Sequence, residues 1–391
     1  MLRISLTLVV AIGALAGASM APAQEKLRIG LISTLTGPGA GLGTELKNGW
    51  DLGLESVGKK IGGLETEIFL VDDQLKTDTA VSAVDNLIGQ HKVHVVAGVL
   101  WSNVLLAIYE RVVKSNTIML STNAGPPQLA GSACTPLYIS TSWQNDQFMD
   151  ATAQIVVDDK VKSVVLMAPN YQAGKDLMTT FPKVYKGQIV ESILFKLGQS
   201  DFQAELSLVR SKKPESLVIF APGGVAIAFL KQWHSTDLGK TIKLYTINMV
   251  DSLSLPAIGD TVIGTYHVSP YDPTGKSVAN EKFVKAYQAK FGKMPTQYAA
   301  QAYDAVAMLD SGVRTVGGKL DDKLALIKAM RKADFPSVRG KFQFNVNNFP
   351  IQDFHKLEVV LGSDQKPTIR GVGVAVKDHK DAYYGDCKQR W

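Results

Sequence analysis

The feature that most narrows the fold is a regular alternation. From residue 27 onward, short runs rich in Val, Ile and Leu take turns with amphipathic stretches of helical spacing. Residues 27–34 (LRIGLIST), 67–71 (EIFLV), 93–99 (VHVVAGV), 117–121 and 137–141 read as strands, and 44–57, 77–89, 102–115 and 145–158 as helices. In the first of these helices Leu46, Trp50, Leu54 and Val57 share one face. The pattern resumes with strands at 163–168, 189–195, 216–221, 242–247 and 262–268, separated by helices at 173–185, 203–211 and 225–235. Near-continuous apolar runs fit strands buried on both faces. Strand–helix alternation requires parallel sheets with right-handed crossovers.

The last third of the chain departs from this pattern. Residues 278–291, 297–316 and 321–332 are successive helices, and 341–345 and 357–361 alternate as antiparallel strands do. These helices need a sheet to cover, and the second sheet already has its own. The expected fold is therefore α/β, with two Rossmann-like lobes whose parallel sheets are flanked by helices. Residues 24–142 plus 272–344 form lobe one, and 143–271 plus 345–391 form lobe two and a C-terminal tail. Three crossings join them, near Ser142, near residues 270–273 and near Asn345. A length of 391 residues suits two such units.

Residues 1–23 stand apart from this pattern. Arg3 precedes an apolar stretch from residue 4 to 18, and Ala21-Pro22-Ala23 has the small-x-small form of a cleavage site. This reads as an export signal cut after Ala23, which places the mature protein outside the cytosol. No later segment is apolar and uncharged over 18 residues. Export separates the chain from cytosolic NAD and ATP. The net charge of +6 is scattered, without the basic stripe of a nucleic-acid binder. Cys134 and Cys387 either form one disulfide in that oxidising compartment or remain two thiols.

Motifs for chemistry are mostly missing. Gly37, Gly39, Gly41 and Gly43 follow the first strand, but Leu42 and Thr44 occupy the positions where a dinucleotide fingerprint needs its third glycine. A turn that lets a ligand approach the backbone is the expected role. Walker A, GxSxG and HExxH patterns do not occur, and His91 and His94 straddle a helix end and a strand start. No cofactor, metal or catalytic residue is expected, and the chain reads as a binding protein rather than an enzyme. Small polar loops remain at the carboxyl ends of the strands, at 98–103, 121–126, 168–174 and 221–224, where open α/β sheets bind ligands. Ser102 opens a helix there and is a candidate carboxylate donor as well as a candidate cap.

Several stretches in order resemble the periplasmic solute-binding proteins of ATP-driven importers, of the leucine/isoleucine/valine type. They are LRIGLISTLTGPGAGLGTELKNGWDLGLE, VVAGVLWSN, IMLSTNAGPPQLAG, VVLMAPNYQAGKD, QAYDAVAMLDSGVR and GKFQFNVNNFPIQDF. The resemblance implies two lobes joined by three crossings that close over a ligand. It implies that Leu42, Trp101 and Ser102 line lobe one, that Asn123, Ala124 and Gly125 supply carboxylate contacts, and that Tyr171 and the Gly223-Gly224 loop close from lobe two. That family usually holds the ligand's ammonium group with an acid after the strand at 242–247. Here the segment reads Asn248-Met249-Val250-Asp251, with Asp251 displaced from that spot and Met249 available as apolar wall. The expected ligand is a small carboxylate with an apolar or aromatic body, a branched-chain or other amino acid being the alternative. The expected partners are that ligand and the membrane permease subunits of an importer, with the protein itself a monomer. A secreted enzyme or a receptor presenting ligand to a sensor are the readings from other classes.

Overall fold

The computed structural model describes residues 25–388. The proposed export signal lies outside the described residues. A five-stranded sheet is built from β1 (Leu27–Ser33), β2 (Thr66–Asp72), β3 (Val95–Gly98), β4 (Ile118–Ser121) and β5 (Tyr138–Ser140). Its order is β2-β1-β3-β4-β5 and every pairing is parallel. The connecting helices are α1 (Ala40–Ser56), α2 (Thr77–Gly89), α3 (Ser102–Lys114) and the single turn α4 (Pro127–Ala130).

After α5 (Asn145–Asp158) comes the second sheet. Its strands are β6 (Ser163–Pro169), β7 (Gln188–Phe195), β8 (Ser216–Phe220), β9 (Lys243–Ile247) and β10 (Tyr266–Ser269). The helices among them are α6 (Gln172–Val184), α7 (Gln203–Lys212), α8 (Gly224–His234) and the short α9 (Leu255–Ile258). The chain then runs through α10 (Val278–Phe291), α11 (Gln297–Thr315) and α12 (Lys323–Met330) before β11 (Gln343–Phe344), β12 (Pro350–Leu361) and β13 (Pro367–His379). The second sheet is ordered β11-β12-β10-β9-β8-β6-β7, with β13 on β12. β6 to β10 pair in parallel, and β12 meets β10, β11 and β13 antiparallel.

The late helices pack back on the first half. α11 lies along α1, and Gly49 is what allows it: a Cβ there would stand 2.1 Å from the Ala299 carbonyl oxygen. The chain thus passes between the two halves between β5 and α5, between β10 and α10, and between α12 and β11. Trp50, Tyr298 and the Val and Ile side chains of β1, β3 and β4 form one continuous buried cluster.

Local differences from the sequence reading have physical causes. The glycine-rich segment is mostly helical: Gly37–Gly39 form a 3-10 turn and α1 begins at Ala40. β10 starts only at Tyr266, because residues 259–262 coil into another 3-10 turn. β13 carries Gly371 and Gly373, and Val372 and Val374 are exposed, so it lacks the apolar signal of a buried strand. It forms because the edge of β12 offers it a ladder, with irregular register. Cys134 and Cys387 are joined in a disulfide. The tail after β13 is thereby fixed to the loop that precedes β5.

Candidate functional site

The ends of β3, β4, β6, β8 and β9 face one another across the gap between the two sheets. At the end of β3 the chain turns abruptly. Buried Val99 adopts φ 67°, a left-handed conformation that is costly for a β-branched residue. Backbone hydrogen bonds hold it, from Val99 N to Ile32 O at 2.9 Å and from Ala124 N to Val99 O at 3.2 Å. The turn delivers Trp101 and Ser102 to the gap. Trp101 precedes α3 without a side-chain capping bond, which leaves the positive end of the helix facing the gap.

The cleft there is narrow and nearly closed, with a free volume of about 20 Å³. Its walls include Leu42, Leu100, Trp101, Trp143, Phe148, Tyr171, Phe220 and Tyr298. Trp101 meets Tyr171 edge-on across the gap, with centroids 5.8 Å apart, and Tyr171 stacks on Phe220 at 6.1 Å. Trp101 is fixed from behind: its Nε1 donates to Thr34 Oγ1 at 2.8 Å, and Thr34 donates to Asp73 Oδ1 at 2.5 Å. Burial raises the Tyr171 hydroxyl pKa well above its ordinary value, so the ring presents a neutral phenol.

Polar groups enter between the rings. Ser102, Asn123, Asn145 and Asn248 line the same cleft, and none of its described lining residues is charged. Asn145 Nδ2 donates to Ser102 Oγ at 3.1 Å and to Asp176 Oδ2 at 2.7 Å, and Gly125 N donates to Asn145 Oδ1 at 3.3 Å. Gly125 must be glycine, since a Cβ would stand 1.9 Å from the Trp143 carbonyl oxygen. Asn123 Nδ2 donates to Leu100 O at 2.6 Å, while its Oδ1 is buried without a protein partner. Asp176, behind the wall, is pushed up to about 6, by burial first and by the Asp146 charge, against the bonds from Asn145 and Gln172.

The structure therefore brings Leu42, Trp101, Ser102, Asn123, Ala124 and Tyr171 to one cleft, with Gly125 directly behind it. The backbone N–H groups of Ala124 and Gly125, expected as carboxylate donors, are engaged with Val99 O and Asn145 Oδ1. Gly223, Gly224, Met249 and Asp251 line a neighbouring cavity that shares Asn248 with the cleft. Asp251 Oδ1 accepts from Leu253 N at 3.0 Å and Ser254 N at 2.9 Å, so its carboxylate caps the turn before α9. The side chain that β9 delivers to the cleft is Asn248. Its signal was available, since it directly follows the strand. Asn145, Phe148 and Tyr298 were missed, because each reaches the cleft only when a chain crossing brings its helix there.

Two facing α/β lobes with an uncharged, aromatic-walled cleft between strand ends define a protein that captures a small solute. The chain belongs to the periplasmic binding protein family, whose model matches residues 26–365. It is 24% identical over 375 residues to the Leu/Ile/Val-binding protein homolog 6 of Brucella melitensis, covering 93% of this chain and 94% of that one. Its fold is similar to an ABC transporter solute-binding protein from R. palustris solved with benzoate, at TM-score 0.87 and 29% identity over 93% of this chain and 100% of that one. A second similar structure, from Rhodopseudomonas palustris BisB5, holds 3,4-dihydroxybenzoic acid, at TM-score 0.85 and 26% identity over 91% and 99% of the two chains. No helix among the described residues is long and apolar enough to cross a membrane.

Proposed function

We propose that this protein is the substrate-binding component of an ATP-driven importer, exported to the periplasm, and that it captures a small aromatic carboxylate of the benzoate class. The observation that carries the ligand class is the cleft itself, which has aromatic walls and polar groups that are all neutral. A buried ammonium group without a counter-charge is costly. A carboxylate is served by the Ser102 hydroxyl and the positive end of α3. The ring lies among Trp101, Tyr171 and Phe220, whose aromatic faces wall the cleft. The benzoate-bound relative supports this reading.

The mechanism is reversible capture without catalysis. Lobe one comprises 24–142 with 272–344, lobe two comprises 143–271 with 345–391, and ligand favours the closed arrangement because it touches both. A monomer then hands the ligand to the permease subunits. Calorimetry against benzoate, 4-hydroxybenzoate, leucine and valine tests the assignment. Benzoates bind and the amino acids do not. The names of the sequence relatives favour the amino-acid reading. Tight leucine or valine binding without benzoate binding would establish it in place of the aromatic acid.

A further inference from the structure

The polarity of the carboxylate site is set from behind it. A serine hydroxyl both donates and accepts, so by itself Ser102 distinguishes poorly between a carboxylate and a carboxamide. In the structure its oxygen already receives a hydrogen bond from Asn145 Nδ2 at 3.1 Å. The Ser102 proton must then point away from Asn145. The side chain is buried and lines the cleft, so that proton is offered to whatever occupies the cleft.

Asn145 can act this way only if its amide keeps one orientation. Its second Nδ2 proton goes to Asp176 Oδ2 at 2.7 Å, and its Oδ1 accepts from Gly125 N at 3.3 Å. Turning the amide over would place oxygen against the Asp176 carboxylate and nitrogen against the Gly125 N–H, losing these bonds for two repulsive contacts. Asp176 is held in turn by Gln172 Nε2, which donates to Oδ1 at 2.8 Å. Asn145 opens α5, and the start of that helix is pinned by Gln144 N donating to Gln147 Oε1 at 2.9 Å. Ser102 opens α3 on the first sheet, whereas α5 and α6 pack together beside the second.

We propose that Asn145, oriented by Asp176, is a positioning residue that fixes Ser102 as a hydrogen-bond donor, so that the cleft selects an anionic carboxylate over a neutral carboxamide of the same shape. This rests on the reading of Ser102 as the carboxylate contact. It goes beyond that reading by assigning selectivity to two residues that themselves need not touch the ligand's carboxylate.

The test is calorimetry on the full mature chain with two isosteric pairs, benzoate with benzamide and leucine with leucinamide. Wild type is compared with Asn145→Ala and Asp176→Asn. Loss of one oriented, charge-assisted hydrogen bond is worth about tenfold. The acid-to-amide affinity ratio is therefore expected to fall by about tenfold in both variants, with the amide bound as well as before or better, because a released Ser102 hydroxyl can accept from it. Equal weakening of acid and amide, with the ratio unchanged, would overturn the proposal and leave Asn145 a packing residue. If Asn145→Ala does not fold, Asp176→Asn carries the same expectation. If only the leucine pair binds wild type, the aromatic-acid reading fails and the ratio for that pair judges the proposal. A wild-type protein that binds neither acid overturns both.

Discussion

Gln297 Nε2 donates to Asn248 Oδ1 at 2.9 Å, tying the first turn of α11 to the residue that follows β9. The bond spans the two halves of the molecule, since α11 packs on α1 and β9 belongs to the second sheet. Ser269 Oγ, whose proton goes to Tyr271 O at 2.8 Å, lies 3.2 Å from Gln297 Oε1, so the Asn248 bond is the main tie from Gln297 to the opposite lobe. That bond turns the NH₂ end of Asn248 away from α11.

We expect this bond to favour the arrangement in which the two halves lie against each other. Gln297→Ala removes about 1 kcal/mol of such bonding, which weakens ligand binding by about fivefold. Small-angle scattering checks the mechanism: the ligand-free variant has the larger radius of gyration, and saturating ligand restores the wild-type value. Equal radii for the two ligand-free proteins would remove the bond from the account.

Asn248 lines the cleft and directly follows β9. Asn248→Asp places an uncompensated carboxylate in an uncharged cleft, facing an anionic ligand. Benzoate affinity should fall by on the order of 100-fold or more. Binding of leucine or phenylalanine should appear, because the ammonium group then has a counter-charge. Calorimetry with both ligand classes reads both changes. A variant that keeps its benzoate affinity would show that Asn248 does not face the ligand.

The Cys134–Cys387 disulfide closes a loop with a sequence separation of 253 residues. Chain-entropy reasoning gives about 5 kcal/mol of stabilisation for a loop of that length. Cys387→Ser, or reduction, should therefore lower the midpoint of thermal unfolding substantially, and reductant should not change the variant further. Alkylation of unreduced protein should label neither cysteine.

The stability of the fold should carry the signature of Asp176. Burial holds its carboxyl up at about 6 in the folded state, against an ordinary value of 3.8. A raised carboxylate pKa means that the folded form binds the proton more tightly. Its contribution is most favourable below about pH 4 and is lost as pH rises towards 6, by up to about 3 kcal/mol. Asp176→Asn should flatten that part of the curve of unfolding free energy against pH. Parallel curves for variant and wild type would place the titration elsewhere.

The alternation of apolar runs and amphipathic helices was enough to set the α/β class, the parallel strands and the existence of two sheets. Strand identity and helix periodicity are local properties of a few consecutive side chains. The loops at residues 98–103 and 121–126 could likewise be nominated, because parallel strands must leave their carboxyl ends open. The start of α1 at Ala40 and the whole of β13 were decided by packing. The first places glycines where a strand end and α11 come close, and the second depends on the free edge of β12. The composition of the cleft was decided the same way. Leu42, Trp101, Asn145, Tyr171, Asn248 and Tyr298 lie on segments far apart in the chain and meet only because it crosses between lobes three times. Which side chain β9 presents, and which donors are already committed, follow from hydrogen bonds such as Gln297 to Asn248 and Gly125 to Asn145. Such bonds join residues with no local relation in sequence, so only the folded arrangement could show that the cleft is neutral.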